Sequence, residues 1–208
     1  MSKMKDALIL TVITLIAGAL LGGVYELTKE PIAQQEIAAN AAAYQAVFPE
    51  ASEFKMDDAL TEKVSHAGSI LESSEADLGN VVIEDALYAY DASGSFCGLV
   101  VKSTSGDGYG GDIRLVAGIR ENADGTVTVT GINFLEINET AGLGMRATEP
   151  EFKEQFQNKT VESFELVKEG ASSDNQIDAL SGASYTSNAV TNAVNAALCF
   201  ARESALRQ

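Results

Sequence analysis

Residues that build metal sites and disulfide frameworks are scarce in this chain. It has no tryptophan, one histidine and two cysteines among 208 residues. His66 has no second histidine to act with, and Cys97 and Cys199 form no Cys-x-x-Cys pair, so we expect no protein-built transition-metal site. The two cysteines are either buried free thiols or one disulfide, and we favour free thiols.

Positive charge is also scarce. The chain carries 14 Lys and Arg against 30 Asp and Glu, a net charge of −16. A surface this acidic repels phosphate backbones and anionic lipid head groups, which argues against nucleic acid as a partner. We interpret the charge as a solubilising surface. Docking to a basic partner stays open, although the sequence shows no clustered acidic face.

One long stretch without charge lies near the N-terminus. Ala7 to Tyr25 is 19 residues, ALILTVITLIAGALLGGVY, close to the ~20 that a membrane-spanning helix needs. Lys3 and Lys5 precede it, which favours a cytoplasmic N-terminus and a translocated C-terminal domain. A signal peptide is the alternative, but the stretch is long for one and no Ala-x-Ala site ends it. We therefore predict a single-pass protein of the cell (inner or cytoplasmic) membrane, with its domain on the outer face.

These patterns divide the chain into four parts. We expect a cytoplasmic tail (1–6), a transmembrane anchor (7–28), a helical stalk with the N-terminal part of the soluble domain (29–80), and the main domain (81–208). Pro31 suits the first turn of a helix, so a new helix is predicted to start there. Residues 50–80 are predicted to be loops, with a short strand near Phe54.

Apolar runs alternate with turn residues in the next part of the chain. Strand patterns occur at 87–90, 97–101, 115–119 and 127–134. Turn residues at 91–95 and 122–125 separate them, which predicts an antiparallel meander over 85–135. Helical patterns follow at 151–156 and 187–205. Strands in a run and then helices predict an α+β fold, with a mainly antiparallel sheet and flanking helices behind an N-terminal transmembrane helix.

Hydroxyl side chains are concentrated in one short segment near the C-terminus. Five of them fall within seven residues: Ser181, Ser184, Tyr185, Thr186 and Ser187. Val190, Val194 and Leu198 follow with the spacing of one helix face, so the segment is predicted to be a turn that opens a helix. A helix N-terminus can bind a phosphate, or hold a hydroxyl that is joined to one as an ester. Serine and threonine are also common N-caps, and on spacing alone the cap is the simpler interpretation.

The same segment contains a recognisable motif. Asp178-x-x-Ser181-Gly182-Ala183-Ser184 resembles the Asp-x-x-Ser-Gly-Ala-Thr flavinylation motif of FMN-binding domains in the Rnf complex G subunit and the sodium-pumping NADH:quinone reductase C subunit. In that family the final Thr carries FMN through a phosphoester. The matching residue is Ser184, which keeps the hydroxyl and lacks only a methyl group. Thr186 is the other hydroxyl that could take the phosphate, but the motif register favours Ser184.

Two further loops carry the resemblance. Gly108-Tyr-Gly-Gly-Asp112 is similar to the family's Gly-Tyr-Gly-Gly segment, and Glu139-Thr-Ala-Gly-Leu-Gly144 to its Glu-Thr-Pro-Gly-Leu-Gly loop. The resemblance implies that both loops approach the flavin ring, where Glu139 is either a carboxylate at the flavin edge or a partner within its own loop. It implies these cofactor-binding residues: Ser184 (covalent), Asp178, Ser181, Gly182, Ala183, Thr186, Tyr109, Gly110, Glu139, Thr140, Gly142, Leu143 and Gly144.

The resemblance implies that residues 81–208 form an FMN-binding domain and that the chain is one electron-relay subunit of an Rnf complex. Such a complex moves electrons between ferredoxin and NAD and couples them to sodium or proton translocation. The implied partners are its other membrane, iron–sulfur and flavin subunits, and a flavin transferase that attaches FMN. The chain has no dinucleotide motif of the G-x-G-x-x-G kind, so we expect neither a complete active site nor a catalytic residue in it alone. A non-redox binding module and a stand-alone flavin reductase are the alternatives.

Overall fold

The computed structural model describes residues 2–74 and 76–205. The chain divides into two compact units, one up to Ala41 and the other from Ala42 onward. Helix α1 (Ser2–Val47) has 46 residues, more than twice the ~20 that a membrane span needs. Within the described residues it is the one helix long and apolar enough to cross a membrane. No helix end marks where the membrane-spanning part stops, so the 7–28 boundary stays a prediction.

Pro31 lies inside α1, so the expectation of a new helix starting there is wrong. Proline removes one backbone hydrogen bond and crowds the carbonyl four residues earlier, which costs a helix roughly 3 kcal/mol. The alanine-rich sequence that follows propagates a helix readily, because alanine has the best intrinsic helix propensity. A proline that is compatible with a helix start therefore did not mark one.

A six-stranded sheet forms the centre of the second unit. Its strands are β1 (Glu53–Lys55), β2 (Val81–Tyr90), β3 (Phe96–Ser105), β4 (Ile113–Glu121), β5 (Val127–Glu136) and β6 (Lys159–Thr160). They lie in the order of the sequence, and each neighbouring pair is antiparallel. The predicted meander and the short strand near Phe54 are confirmed. A separate parallel pair consists of β7 (Glu165–Val167) and β8 (Gln176–Asp178).

Two short helices occupy part of the region that was expected to be loop. They are α2 (Asp58–Ser65) and α3 (Ala67–Ser73). Asp57 caps α2, because its carboxylate accepts a hydrogen bond from the backbone N–H of Leu60 at 2.7 Å. Leu60 is fully buried in the core. Helices of two turns are too short for a clear apolar period, although the Asp cap is a signal that the sequence offers.

The C-terminal helix covers one face of the sheet. A short helix α4 (Pro150–Lys153) continues as a 3-10 turn to Phe156, and α5 (Ser184–Phe200) ends in a π turn through Ala205. Val190, Val194 and Leu198, the predicted face, have no exposed surface and pack into the main core against the sheet. Val47 and Phe48, at the end of α1, belong to a second core on the other face. The α+β class with flanking helices is therefore confirmed.

Both cysteines are free thiols, as the sequence favoured. Cys97 packs against the second core and Cys199 lies on α5. Burial raises the pKa of each thiol above its ordinary value. Both thiols are therefore protonated at neutral pH and poorly reactive.

Candidate functional site

The hydroxyl segment forms the first turn of α5. The helix begins at Ser184, earlier than the predicted start at residue 187. Ser184 is exposed, whereas Thr186 is buried. The N-cap position is taken by Ala183, and no side chain caps the helix. The simple N-cap interpretation of these hydroxyls is therefore wrong, and backbone N–H groups at this end are left without a side-chain partner.

A buried hydroxyl fastens the turn in front of α5. The Ser187 hydroxyl accepts a hydrogen bond from the N–H of Leu180 at 2.9 Å and donates one to the carbonyl of Ala183 at 3.0 Å. The N–H of Ala183 in turn donates to the carbonyl of Leu180 at 2.9 Å. Because Ser187 has no exposed surface, water does not compete for these bonds. The tip of the turn, Ser181–Gly182, is held in one position relative to Ser184.

The loop at 139–144 lies against this tip. Gly182 has a φ of 78°, in the left-handed region where glycine is favoured. A Cβ on Gly182 would lie 3.2 Å from Cδ2 of Leu143. Within the loop, the N–H of Leu143 donates to the carbonyl of Thr140 at 3.1 Å, and Gly142 has a φ of 75°. Thr140 and Gly142 thus shape the turn that presents Leu143.

The loop between β3 and β4, residues 106–112, reaches the same place. The carboxylate of Glu139 accepts a hydrogen bond from the N–H of Tyr109 at 2.8 Å. Gly110 lies so close to the neighbouring loop that a Cβ there would overlap the carbonyl oxygen of Asn138. A Cβ on Gly144 would lie 2.6 Å from Oγ1 of Thr186. Both Gly-rich loops therefore meet near the start of α5, and their approach to a flavin ring stays a prediction.

Two tyrosines stand exposed above this junction. Tyr109 is 75 % exposed and Tyr185 is 70 % exposed. Their ring centroids are 6.4 Å apart and their planes are inclined by 41°. Large aromatic rings usually lose most of their exposed surface in a folded protein. Such a pair next to glycine-rich backbone offers an accessible apolar surface for a flat ligand.

A cleft of about 520 Å³ opens beside Ser184. One wall is the motif itself, with Asp178, Ser181, Gly182 and Ser184. Two cationic side chains, Arg146 and Lys168, and three further carboxylates, Glu149, Glu151 and Glu169, also line it. The Nε of Arg146 lies 3.6 Å from the Glu149 carboxylate, a loose ion pair at the surface that contributes little to stability.

Asp178 forms hydrogen bonds with two segments beside the cleft. Its carboxylate accepts the N–H of Ala171 at 2.8 Å, which holds the segment after β7 that carries Lys168. The backbone N–H of Asp178 donates to Oε1 of Gln155 at 2.7 Å. Both contacts keep Asp178 half-buried at the base of the motif.

Sequence reasoning missed three residues of this region, Arg146, Gln155 and Lys168, and named Ser187 without predicting its buried contacts. Ser187 belongs to the run of hydroxyl residues. Its inward direction depends on where α5 starts, and the apolar spacing predicted that start three residues too late. Gln155 lies next to Phe156 in a segment interpreted from the sequence only as helical. Nothing local in the sequence distinguishes Arg146 or Lys168 from other surface cations. Contact of any of the predicted residues with FMN stays a prediction.

Comparison with known proteins identifies the family. Residues 108–199 match the FMN-binding domain family, and residues 1–47 match the RnfG N-terminal region. The chain is 31 % identical over 195 residues to the G subunit of the Na⁺-translocating ferredoxin:NAD⁺ oxidoreductase complex of Acetobacterium woodii, covering 92 % of this chain and 87 % of that one. It is 32 % identical over 196 residues to the G subunit of the ion-translocating oxidoreductase complex of Methanosarcina acetivorans, covering 93 % and 92 %. The crystal structure of Shewanella oneidensis NqrC is similar with a TM-score of 0.47 and 26 % identity, over 53 % of this chain and 52 % of that one. The chain belongs to the family of G subunits of ion-translocating oxidoreductase complexes and contains that family's FMN-binding domain.

Proposed function

We propose that the protein is a membrane-anchored flavoprotein subunit that relays electrons through FMN esterified to Ser184, within an ion-translocating ferredoxin:NAD oxidoreductase (Rnf) complex. The observation that carries this proposal is the position of Ser184. Its side chain is exposed at the first residue of α5, beside a cleft, in the motif Asp178-x-x-Ser-Gly-Ala-Ser184. A hydroxyl in that place is accessible to a phosphate donor and lies at the positive end of a helix.

The residues present fit the phosphate end of FMN. A helix of 17 residues begins at Ser184 without a side-chain cap, so its first N–H groups are available to phosphate oxygens. Arg146 and Lys168 are the cations that line the same cleft, beside the carboxylates of Asp178, Glu149, Glu151 and Glu169, in a chain whose net charge is −16. Without such local cations and amide groups, the surrounding acidic surface would repel a phosphodiester.

The residues present also fit the ring of FMN. Gly110 and Gly182 lie where a larger side chain would overlap or crowd the facing loop, so the loops pack closely at this junction. Tyr109 and Tyr185 offer exposed aromatic surface beside it. When bound, FMN supplies redox chemistry that accepts two electrons and passes on one at a time. The chain's own residues would hold the ring, limit its contact with water and set its orientation.

Attachment requires a second protein. The Ser184 oxygen would form a bond to the phosphorus of the FMN half of FAD, while the bond from that phosphorus to the AMP half breaks. AMP and the hydroxyl proton would leave, so the step needs no oxidant or reductant. A flavin transferase would supply FAD and the base, since no residue of this chain is assigned that role.

The relatives and α1 support the membrane attachment and the partners in this proposal. Both relatives named above are G subunits of oxidoreductase complexes, which supports association with the other Rnf subunits. The apolar part of α1 supports anchoring in the membrane. Lys3 and Lys5 ahead of it favour a cytoplasmic N-terminus, with the FMN-binding domain on the outer face.

The proposal is tested by flavin retention after denaturation. The full chain, its Ser184→Ala variant and its Thr186→Ala variant would each be produced with an active flavin transferase, then denatured and freed of small molecules. The wild type and Thr186→Ala should keep yellow, fluorescent flavin, and Ser184→Ala should lose it. A colourless wild type would favour a non-redox binding module. Loss of flavin in Thr186→Ala alone would move the attachment to Thr186.

A further inference from the structure

The side chain of Glu139 lies at the junction of the two Gly-rich loops. Its Oε1 accepts the hydrogen bond from the N–H of Tyr109, at 2.8 Å. The same oxygen is 3.1 Å from the point where a Cβ on Gly108 would be. Residues 109 and 139 are thirty positions apart in the sequence, so this contact ties together two loops that β4 and β5 separate along the chain.

The other carboxylate oxygen of Glu139 lies close to Gly144. A Cβ on Gly144 would lie 2.8 Å from Oε2 of Glu139 and 2.6 Å from Oγ1 of Thr186. Gly144 and Thr186 are both buried. The missing side chain at Gly144 therefore leaves the space that Glu139 and Thr186 occupy, and a methyl group there would have to displace one of them.

We infer that Glu139 is a positioning residue, whose carboxylate clamps the loop 106–112 to the loop 138–144 and so fixes Tyr109 beside Tyr185. Tyr109 is 75 % exposed, so packing alone holds its ring weakly, and the backbone hydrogen bond supplies the constraint. The contact needs a hydrogen-bond acceptor at Oε1 and does not need a negative charge. For its effect on flavin, the inference rests on the proposed function.

Hydrogen exchange in the full chain without flavin tests the clamp. Peptides that cover residues 106–112 would be followed by mass spectrometry in the wild type, Glu139→Ala and Glu139→Gln. Loss of one hydrogen bond should speed exchange of the Tyr109 amide roughly tenfold in Glu139→Ala. Glu139→Gln keeps an acceptor oxygen and should exchange at the wild-type rate. Equal rates in Glu139→Ala and the wild type would overturn the inference, as would a Gln variant that exchanges as fast as the Ala variant.

Gly144→Ala tests the clamp without changing Glu139. Thr186 is buried, whereas Glu139 is only partly buried, so the added methyl group should displace the carboxylate and speed exchange of the same peptides. Gly68→Ala is the matched control, because a Cβ there meets nothing within 4 Å and exchange at 106–112 should not change. Unchanged exchange at 106–112 in Gly144→Ala would contradict the inference. Peptides from β3 and the middle of α5 report whether either variant has lost its fold.

Flavin potential separates positioning from direct contact. In the flavin-loaded chain, Glu139→Ala should shift the midpoint potential, whereas Glu139→Gln should leave it near the wild-type value. An equal shift in both variants would mean that the carboxylate charge acts on flavin directly, which overturns the positioning role. If no flavin attaches at all, the proposed function fails, and the exchange experiment on the flavin-free chain still decides the inference.

Discussion

The backbone N–H of Leu180 donates a hydrogen bond to the buried hydroxyl of Ser187, 2.9 Å away. Ser187 lies on α5, whereas Leu180 precedes the turn that carries Ser181 and Gly182. A residue of the helix therefore holds the turn that leads to its first residue, Ser184. A rigid presentation of this kind lowers the entropic cost of bringing a hydroxyl to a phosphate donor.

Replacing Ser187 by Ala should weaken both the fold and the attachment of flavin. The variant leaves the Leu180 amide without its buried acceptor, so the free energy of unfolding should fall by about 1–3 kcal/mol. Attachment at Ser184 should also be slower, because the turn is no longer held. Chemical denaturation and the initial rate of flavin transfer measure the two effects. Asn188→Ala, an exposed neighbour on the same helix, is the control, and equal transfer rates in both variants would contradict the account.

Replacing Ser184 by Thr should preserve covalent flavin. The side chain is exposed, so the additional methyl group has room, and the nucleophilic hydroxyl is retained. Threonine is also the residue at this position in the Asp-x-x-Ser-Gly-Ala-Thr motif that the segment resembles. Flavin retention after denaturation measures the outcome, with Ser184→Ala as the control that keeps the fold and carries no flavin. A folded Ser184→Thr protein without covalent flavin would show that the site or its transferase has adapted to serine.

Asp178 should matter more for attachment than for the properties of attached flavin. Its carboxylate holds the backbone at Ala171, and Asp178→Ala frees the segment that brings Lys168 to the cleft. If this hydrogen bond, worth roughly 1.5–3 kcal/mol, is lost from the state in which flavin is attached, attachment should slow roughly tenfold or more. Asp178→Asn retains an acceptor oxygen and should be close to wild type. A fully flavinylated Asp178→Ala protein with a shifted midpoint potential would contradict this assignment.

Replacing Asp85 by Asn should make the fold more stable at neutral pH. Burial raises the pKa of Asp85 above its ordinary value, so the folded state holds its proton more tightly than the unfolded state. As pH rises through the folded pKa, Asp85 ionises in a partly buried position, and the free energy of unfolding falls. Asp85→Asn keeps an acceptor for the N–H of Ala86 and should raise Tm at pH 7 by up to about 3 °C. Asp85 is only partly buried, and solvent screening keeps the gain small.

The pH dependence provides the check on Asp85. The advantage of Asp85→Asn should disappear at acid pH, where Asp85 is protonated in both the folded and the unfolded state. Thermal unfolding of the two proteins over a range of pH measures this difference. Glu72→Gln, at an exposed carboxylate on α3, is the control. A variant less stable than wild type at pH 7 would contradict the account.

Periodic patterns in the sequence predicted most of the fold. Val190, Val194 and Leu198 predicted the buried face of α5, and the apolar runs between turn residues predicted the antiparallel meander. Signals that depend on a single residue were weaker. Pro31 fits both a helix start and a position inside α1, and only the hydrogen bonds of its neighbours decide between them.

The motif predicts where a flavin site would lie, but it contains no signal for how that region is held together. Ser184, Gly182 and Asp178 could be named because their spacing is local and recognisable. The bond between Glu139 and Tyr109, and that between Asp178 and Ala171, depend on how the loops cross in three dimensions. Sequence spacing alone contains no signal for such contacts. The inward direction of Ser187 likewise follows from the helix start at Ser184.

The intact mass of the denatured full chain, produced with a flavin transferase and followed by peptide mapping, tests the central claim most directly. We expect a mass increase equal to FMN less one water, located on Ser184. An unmodified chain in the presence of a transferase that flavinylates a threonine-containing relative would contradict covalent attachment at this serine.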